Sequence, residues 1–128
     1  MTAVVTPTDS LLRLALRLDA TLTGLCGVAL AAFAEPLAAL TGFPPTQEYV
    51  VGAGLVLYGV VVYCLAGLRS VRSAGLGVVV ANLVCTVGAL AASAVLPVTT
   101  LGVAALWFSA VYTTAFAVVQ FLGVRRMA

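Results

Sequence analysis

The 128-residue sequence contains no histidine and no lysine. Histidine is the side chain that proteins use most often as a general base and as a haem or zinc ligand, so these chemistries lack their usual carrier. The three cysteines lie far apart in apolar runs without a CxxC spacing, which leaves no redox or metal motif. We interpret the cysteines as small apolar residues in helix packing. No nucleophile stands beside a base, and we expect no enzyme activity, cofactor or metal.

Charge is also scarce. Charged residues form 8% of the chain, whereas a soluble domain carries about 25%. Hydrophobic residues form 63% of it, and the mean hydropathy is +1.22. Water cannot be the solvent for most of such a surface, so the composition indicates an integral membrane protein in contact with lipid. A net charge of +2 is too small to indicate nucleic-acid binding.

Four apolar stretches are long enough to cross a bilayer, since 20 helical residues cover about 30 Å of hydrocarbon. They run from about Leu11 or Leu18 to Phe33, from Gln47 to Leu68, from Ala74 to Leu96 and from Thr100 to Val124. Short connections require neighbouring helices to be antiparallel. The sequence therefore predicts an all-α, up-down-up-down four-helix bundle that forms one domain over residues 1–128.

The arginines predict the orientation of this bundle. They occupy three segments, with two residues in each: Arg13 and Arg17, Arg69 and Arg72, Arg125 and Arg126. The connections at 34–46 and 97–99 contain no basic residue. By the positive-inside rule both termini are cytoplasmic, and we expect a multi-pass protein of the cell (inner) membrane.

The segment between the first two spans has two interpretations. Pro36 near its start and Gly42 after its end are typical helix punctuation, which favours a short interfacial helix over about 36–41. Alternatively the first span continues through a kink at Pro36. Glu35 and Glu48 flank this segment, and we expect both to be solvated.

Small residues recur at helical spacing in the spans. The clearest stripe is in the third span: Gly77, Ala81, Cys85, Gly88 and Ala92. Helices associate in lipid mainly by close packing of small residues, so the stripe is a predicted packing seam. Its pattern does not show whether it faces the bundle or a partner subunit.

Four polar residues form a candidate intramembrane cluster: Asp19, Tyr63, Asn82 and Gln120. We expect them in the cytoplasmic half, with Asp19 at shallow depth in reach of water or an arginine. A carboxylate at the bilayer centre costs about 2.5 to 3.5 kcal/mol on insertion scales. Asp19 is then either a structural group or a proton- or cation-handling one, and Asn82 is suited to an interhelical hydrogen bond.

The run LRLDATLTGLCGVALAAFAEPLAALTGFP, followed by three further spans and FLGVRR, resembles a group of small membrane proteins. These are the uncharacterised four-span integral membrane proteins of actinobacteria, broadly similar to DoxX-like proteins. The resemblance implies the fold and an inner-membrane location. It supplies no agreed activity and no functional residue.

Three functions remain open at this point. The first is a non-enzymatic membrane protein that acts by helix packing, as a homo-oligomer or as a subunit or accessory of a membrane complex. The second is a small oligomeric transporter or channel that uses Asp19. The third is a protein that binds lipid or another hydrophobic ligand in a cavity between helices, roofed by residues 36–41.

Overall fold

A computed structural model describes residues 8–127, and all regular structure in that range is helical. The five helices are α1 (Ser10–Ala32), α2 (Ala34–Thr41), α3 (Pro45–Leu65), α4 (Arg72–Val95) and α5 (Thr100–Arg126). All but α2 are long and apolar enough to cross a membrane. A helix satisfies its backbone hydrogen bonds internally, as hydrocarbon requires. The predicted four-helix bundle is confirmed, and the chain is a multi-pass membrane protein.

The long helices pack as two hairpins that meet along α1 and α5. Helix α1 packs against α3, α5 packs against α4, and α1 and α5 form the central pair. Within the described range, α3 and α4 have little direct contact although they are consecutive spans. The short helix α2 packs on α3 and α5, so it covers the end of the bundle opposite the arginines.

Helix α2 is separated from α1 by Phe33, whose φ of −118° and ψ of 30° interrupt the helix. It ends at Gly42, whose φ of 83° lies in the left-handed region that favours glycine, and the Gly42 amide bonds the Ala38 carbonyl. Of the two interpretations of this segment, the structure contains the separate helix, which begins two residues before Pro36.

Glycine allows α1 and α3 to approach until their backbones touch. A Cβ atom added at Gly52 would lie 2.7 Å from the Gly27 carbonyl oxygen, and one at Gly59 would lie 2.7 Å from the Ala20 carbonyl oxygen. Neither position can hold a side chain without displacement of a helix. Helix association in lipid depends on such contacts, which identifies these glycines as the seam of the first hairpin.

The small-residue stripe of the third span does not form such a seam inside the chain. Gly77 and Gly88 have no atom within 4 Å of an added Cβ, and Cys85 is exposed. Ala81 and Ala92 are only half-buried. Helix α4 instead buries a different face, formed by Gly75, Val78, Val79 and Asn82.

The cysteines need a related correction. Cys26, Cys64 and Cys85 are all free and exposed, so they are not packing residues within this chain. Other residues of the same helices face inward, and the thiols lie on the outer surface of the bundle.

At the arginine end of the bundle, a hydrophobic core and the hydrogen bonds of Arg13 hold the helices together. Leu12 and Leu16 on α1 are fully buried with Val62 and Val124. Beside them, the Arg13 guanidinium donates to the three carbonyl oxygens that follow α3, those of Ala66 (2.8 Å), Leu68 (2.6 Å) and Arg69 (3.2 Å). Carbonyl oxygens at a helix end have no donor within the helix, and the Arg13 guanidinium provides the missing donors.

Candidate functional site

Asp19 lies deep inside the bundle. It follows Ser10, the first residue of α1, by nine positions, or about 14 Å at 1.5 Å per residue. Its side chain is 0% exposed. The expectation that Asp19 is in reach of water or an arginine is wrong, because its side chain is enclosed. That expectation counted its depth from Leu18, whereas α1 begins at Ser10, close to the other predicted start, Leu11. Within residues 8–127 the one ion pair joins Arg13 to Asp9, and no arginine pairs with Asp19.

One carboxylate oxygen of Asp19 accepts three hydrogen bonds. Its Oδ2 accepts from the Tyr58 hydroxyl at 2.9 Å, from Asn82 Nδ2 at 3.1 Å and from Gln120 Nε2 at 2.9 Å. These donors lie on α3, α4 and α5. A single oxygen atom of α1 therefore joins the other three long helices.

The second oxygen has hydroxyl partners. Asp19 Oδ1 accepts from Thr23 Oγ1 at 2.9 Å, one helical turn further along α1. The Tyr112 hydroxyl lies 2.9 Å from Thr23 Oγ1 and 3.3 Å from Asp19 Oδ1. Tyr112 therefore adds a second link from α5 to this acid, mostly through the threonine.

The amides of the cluster also bond each other. Asn82 Nδ2 donates to Gln120 Oε1 at 2.9 Å as well as to Asp19, and Gln120 is 0% exposed. One turn along α4, Thr86 Oγ1 lies 2.6 Å from Thr113 Oγ1 of α5. A ladder of polar contacts therefore runs between α4 and α5 beside the acid.

Three of the four residues predicted for this cluster meet in the structure: Asp19, Asn82 and Gln120. The fourth, Tyr63, is 51% exposed and lies outside the cluster. Its place is taken by Tyr58, more than one turn earlier in α3. Because Asp19 was assigned too shallow a depth, the tyrosine matched to that depth was the wrong one.

Thr23 and Tyr112 were also absent from the prediction. Thr23 carries a simple signal, since residues i and i+4 share a helix face. Tyr112 carries none in the sequence, because its inclusion depends on which face of α5 meets α1.

The cluster has the chemistry of a carboxylate held by neutral donors. An ionised carboxylate can only accept hydrogen bonds, and the side chains that contact it here all have hydrogens to donate. Every fully enclosed side-chain nitrogen or oxygen in residues 8–127 has a partner. A polar network satisfied in this way makes one arrangement of helices specific, because an unpaired polar group is costly in a medium of low dielectric constant.

A second buried acid lies at the opposite end of the bundle. Glu48 is 6% exposed, contrary to the expectation that it is solvated. Its Oε1 lies 3.0 Å from the Thr41 hydroxyl, which also lies 3.0 Å from the Leu37 carbonyl oxygen. Thr41 is held in turn by the Thr99 amide, which bonds its carbonyl oxygen at 3.0 Å.

A cavity of about 300 Å³ adjoins Glu48. Its walls come from α1, α2, α3, α5 and the loop that precedes α3, and they are mostly apolar. The polar residues among them are Thr41, Gln47, Glu48 and Ser109. The cavity is therefore a second place, distinct from the Asp19 cluster, where a carboxylate lies inside the bundle.

The described residues contain no group of three or more histidine, cysteine, aspartate or glutamate side chains that could hold a metal ion. No protein-family model, curated protein or solved structure matches the chain. The resemblance to DoxX-like proteins therefore stays a prediction, and any function must be argued from the contacts described above.

Proposed function

We propose that the chain is a non-enzymatic membrane protein that acts by helix packing, and that it associates with a second copy of itself through the outer face of α4. The observation that supports the proposal is the bare small-residue stripe on this helix. Gly77 and Gly88 have nothing within 4 Å of an added Cβ, and Cys85 between them is exposed.

The position of α4 in the bundle supports the same proposal. It is a peripheral helix that packs chiefly against α5, and its buried residues all lie between Gly75 and Asn82. The half that follows has no fully buried residue and ends near the arginine-free side. Glycine on a lipid-facing helix lowers helix propensity, whereas it favours close contact between helices.

The exposed cysteines allow a direct test. A variant that keeps only Cys85 is oxidised in native membranes and compared with a variant that keeps only Cys64, on the outer surface of α3. A disulfide requires Cα atoms within about 7 Å. If two α4 helices meet along the stripe, Cys85 forms a cross-linked dimer in high yield and Cys64 does not.

Substitutions at glycine then test the contact itself. Gly88→Leu should reduce the Cys85 cross-link several-fold while the monomer stays folded, because nothing within the chain occupies that space. Gly54→Leu is the matched control, since Gly54 is a glycine of α3 with equally open surroundings. A chain that shows no Cys85 cross-link, and only single-chain mass in native mass spectrometry, contradicts self-association. A different membrane protein that co-purifies would identify a hetero-complex instead.

A small transporter that uses Asp19 is the second candidate, because a buried membrane acid without an arginine partner is typical of ion and proton pathways. Asp19→Asn keeps the side-chain shape and one acceptor oxygen. Loss of proton-coupled flux in liposomes with this variant would support transport. Equal flux in the variant and the wild type would exclude Asp19 from any transport step.

A further inference from the structure

The two buried acids differ in how many hydrogen bonds the protein donates to their carboxylate oxygens. Asp19 accepts hydrogen bonds from side chains of all four long helices. Glu48 has one side-chain partner among the described residues, Thr41. The Thr41 hydroxyl has a single hydrogen, and the Leu37 carbonyl oxygen competes for it at the same 3.0 Å distance. Glu48 is therefore a buried carboxylate with unused acceptor capacity.

The unused capacity belongs to the second carboxylate oxygen. Glu48 Oε2 has no hydrogen-bond partner in residues 8–127, yet every fully enclosed side-chain oxygen or nitrogen in that range does have one. Oε2 is therefore open to space, and Glu48 lines the 300 Å³ cavity. That volume lies at the lower end of the range for small-molecule sites.

The described residues supply no basic side chain at this place. The first arginines on either side of Glu48 in the sequence are Arg17 and Arg69. Arg69 lies beyond the end of α3, and that end is about 25 Å along the helix from Glu48 at 1.5 Å per residue. Arg17 lies near the same end of the bundle as Arg69, in the first third of α1. A charge in a medium of low dielectric constant needs a counter-charge or donors.

The other walls of the cavity favour a ligand with an apolar part. Leu30, Leu37, Val51 and Leu106 contribute side chains from α1, α2, α3 and α5. Phe43, in the loop after α2, closes one side. Such a pocket, apolar with one convergent polar group, is the usual form of a site for a small hydrophobic molecule.

We propose that this cavity binds a small hydrophobic ammonium group, and that Glu48 is its counter-ion. The ammonium donates to Glu48 Oε2 and the alkyl part fills the apolar walls. The group can belong to a free alkylamine or to the ammonium head of a membrane lipid. The inference is independent of self-association through α4, because no residue of the cavity belongs to that helix.

The test uses the full chain in nanodiscs and n-hexylamine as the probe, titrated by calorimetry with protein-free nanodiscs as the blank. Hexylamine should bind the wild type, and 1-hexanol, which has the same alkyl part without the charge, should bind at least tenfold more weakly. Glu48→Gln should weaken hexylamine at least tenfold and leave hexanol unchanged. Glu35→Gln is the matched control, since Glu35 is an exposed acid at the same end of the bundle.

A second variant tests the cavity without altering charge. Ala105 lines it, and Ala105→Phe should fill it and remove the binding of both probes, while thermal unfolding confirms that the variant folds. Native mass spectrometry separates the two sources. Phosphatidylethanolamine retained by the wild type and Glu35→Gln, but lost from Glu48→Gln, identifies a lipid head, and hexylamine binding to lipid-free protein identifies a free amine. Equal affinity of Glu48→Gln and wild type for hexylamine overturns the proposal, and so does equal affinity of the wild type for hexanol and hexylamine.

Discussion

Asp19 is the residue on which the most interhelical contacts depend. Replacement by alanine leaves the Tyr58, Asn82 and Gln120 donors without their shared acceptor. Each unsatisfied buried donor costs about 1 kcal/mol or more, so we expect Asp19→Ala to lower the free energy of unfolding by about 2–4 kcal/mol. Reversible unfolding in mixed micelles measures this.

Two further variants separate the causes of that loss. Asp19→Asn keeps an acceptor oxygen. If hydrogen bonding rather than charge stabilises the cluster, this variant should lose about half as much free energy of unfolding as Asp19→Ala. Thr21→Ala changes an exposed polar residue of the same helix and should stay within about 0.5 kcal/mol of the wild type. If Asp19→Ala is as stable as Thr21→Ala, the cluster has no structural role.

Arg13 and Arg17 have similar sequence contexts and different structural ones. Arg13 bonds three carbonyls at the end of α3, whereas Arg17 is exposed. We expect Arg13→Gln to lower the free energy of unfolding by about 1–2 kcal/mol, since hydrogen bonds from charged groups are the stronger ones. Arg13→Lys should recover only part of this, because an ammonium lacks the planar fork.

Arg17→Gln, measured in the same way, should have almost no effect on stability. Equal losses at the two positions would show that charge at this end of the bundle is what stabilises the protein, and that the contacts of Arg13 to α3 contribute nothing.

At the scale of the elements, the glycine seam between α1 and α3 gives a further expectation. Gly52→Ala would place a methyl group 2.7 Å from the Gly27 carbonyl oxygen, which requires the helices to separate. We expect a loss of about 1–3 kcal/mol, as for other overpacked interiors. Gly54→Ala, two residues away in open surroundings, should be neutral or stabilising by up to about 1 kcal/mol from helix propensity. Thermal unfolding of the two variants in one detergent compares them, and a stable Gly52→Ala protein would contradict the seam.

The elements also show which part of the fold is readable from the sequence. The four spans can be predicted from the length and hydropathy of the apolar stretches. Length and hydropathy do not depend on how the helices pack against each other. The packing face of a helix depends on its neighbours. The glycines of α1 and α3 face each other, while Gly77 and Gly88 of α4 also recur at whole helical turns and face outward. Spacing alone does not distinguish an internal seam from an external one.

For the whole molecule, the arginine pattern gives an expectation about orientation. Four crossings place the two termini on one side of the bilayer together with the connection at 66–71. The positive-inside rule predicts that this side is cytoplasmic. Reporter fusions at either terminus should be active only as cytoplasmic enzymes, and a cysteine-labelling reagent that cannot cross membranes should reach a cysteine introduced at Pro44 from outside intact cells. The opposite labelling pattern would show an inverted protein.

The two candidate sites could be predicted from the sequence to different degrees. Asp19, Asn82 and Gln120 stand out because polar residues are rare in apolar spans, and the bundle brings them together. Tyr58 was missed because the depth of Asp19 was counted from Leu18, the later of the two predicted starts, whereas α1 begins at Ser10, close to the earlier one. A cavity roofed by residues 36–41 was among the expectations, and Leu37 and Thr41 line the one observed. The burial of Glu48 in its wall could not be predicted, since it depends on how α2 folds over α3 and α5.

The division into two hairpins has a consequence for synthesis. The α1–α3 pair leaves the ribosome first, and at that stage Thr23 and Tyr58 are the only donors to Asp19 among the described residues. Asn82 and Gln120 arrive with the later pair. In a nascent chain that has inserted its first half, the Asp19 carboxylate therefore lacks part of its hydrogen-bond donors. This favours packing of the second hairpin against the first. A truncated product that ends after α3 keeps that defect, because the Asn82 and Gln120 donors are missing from it.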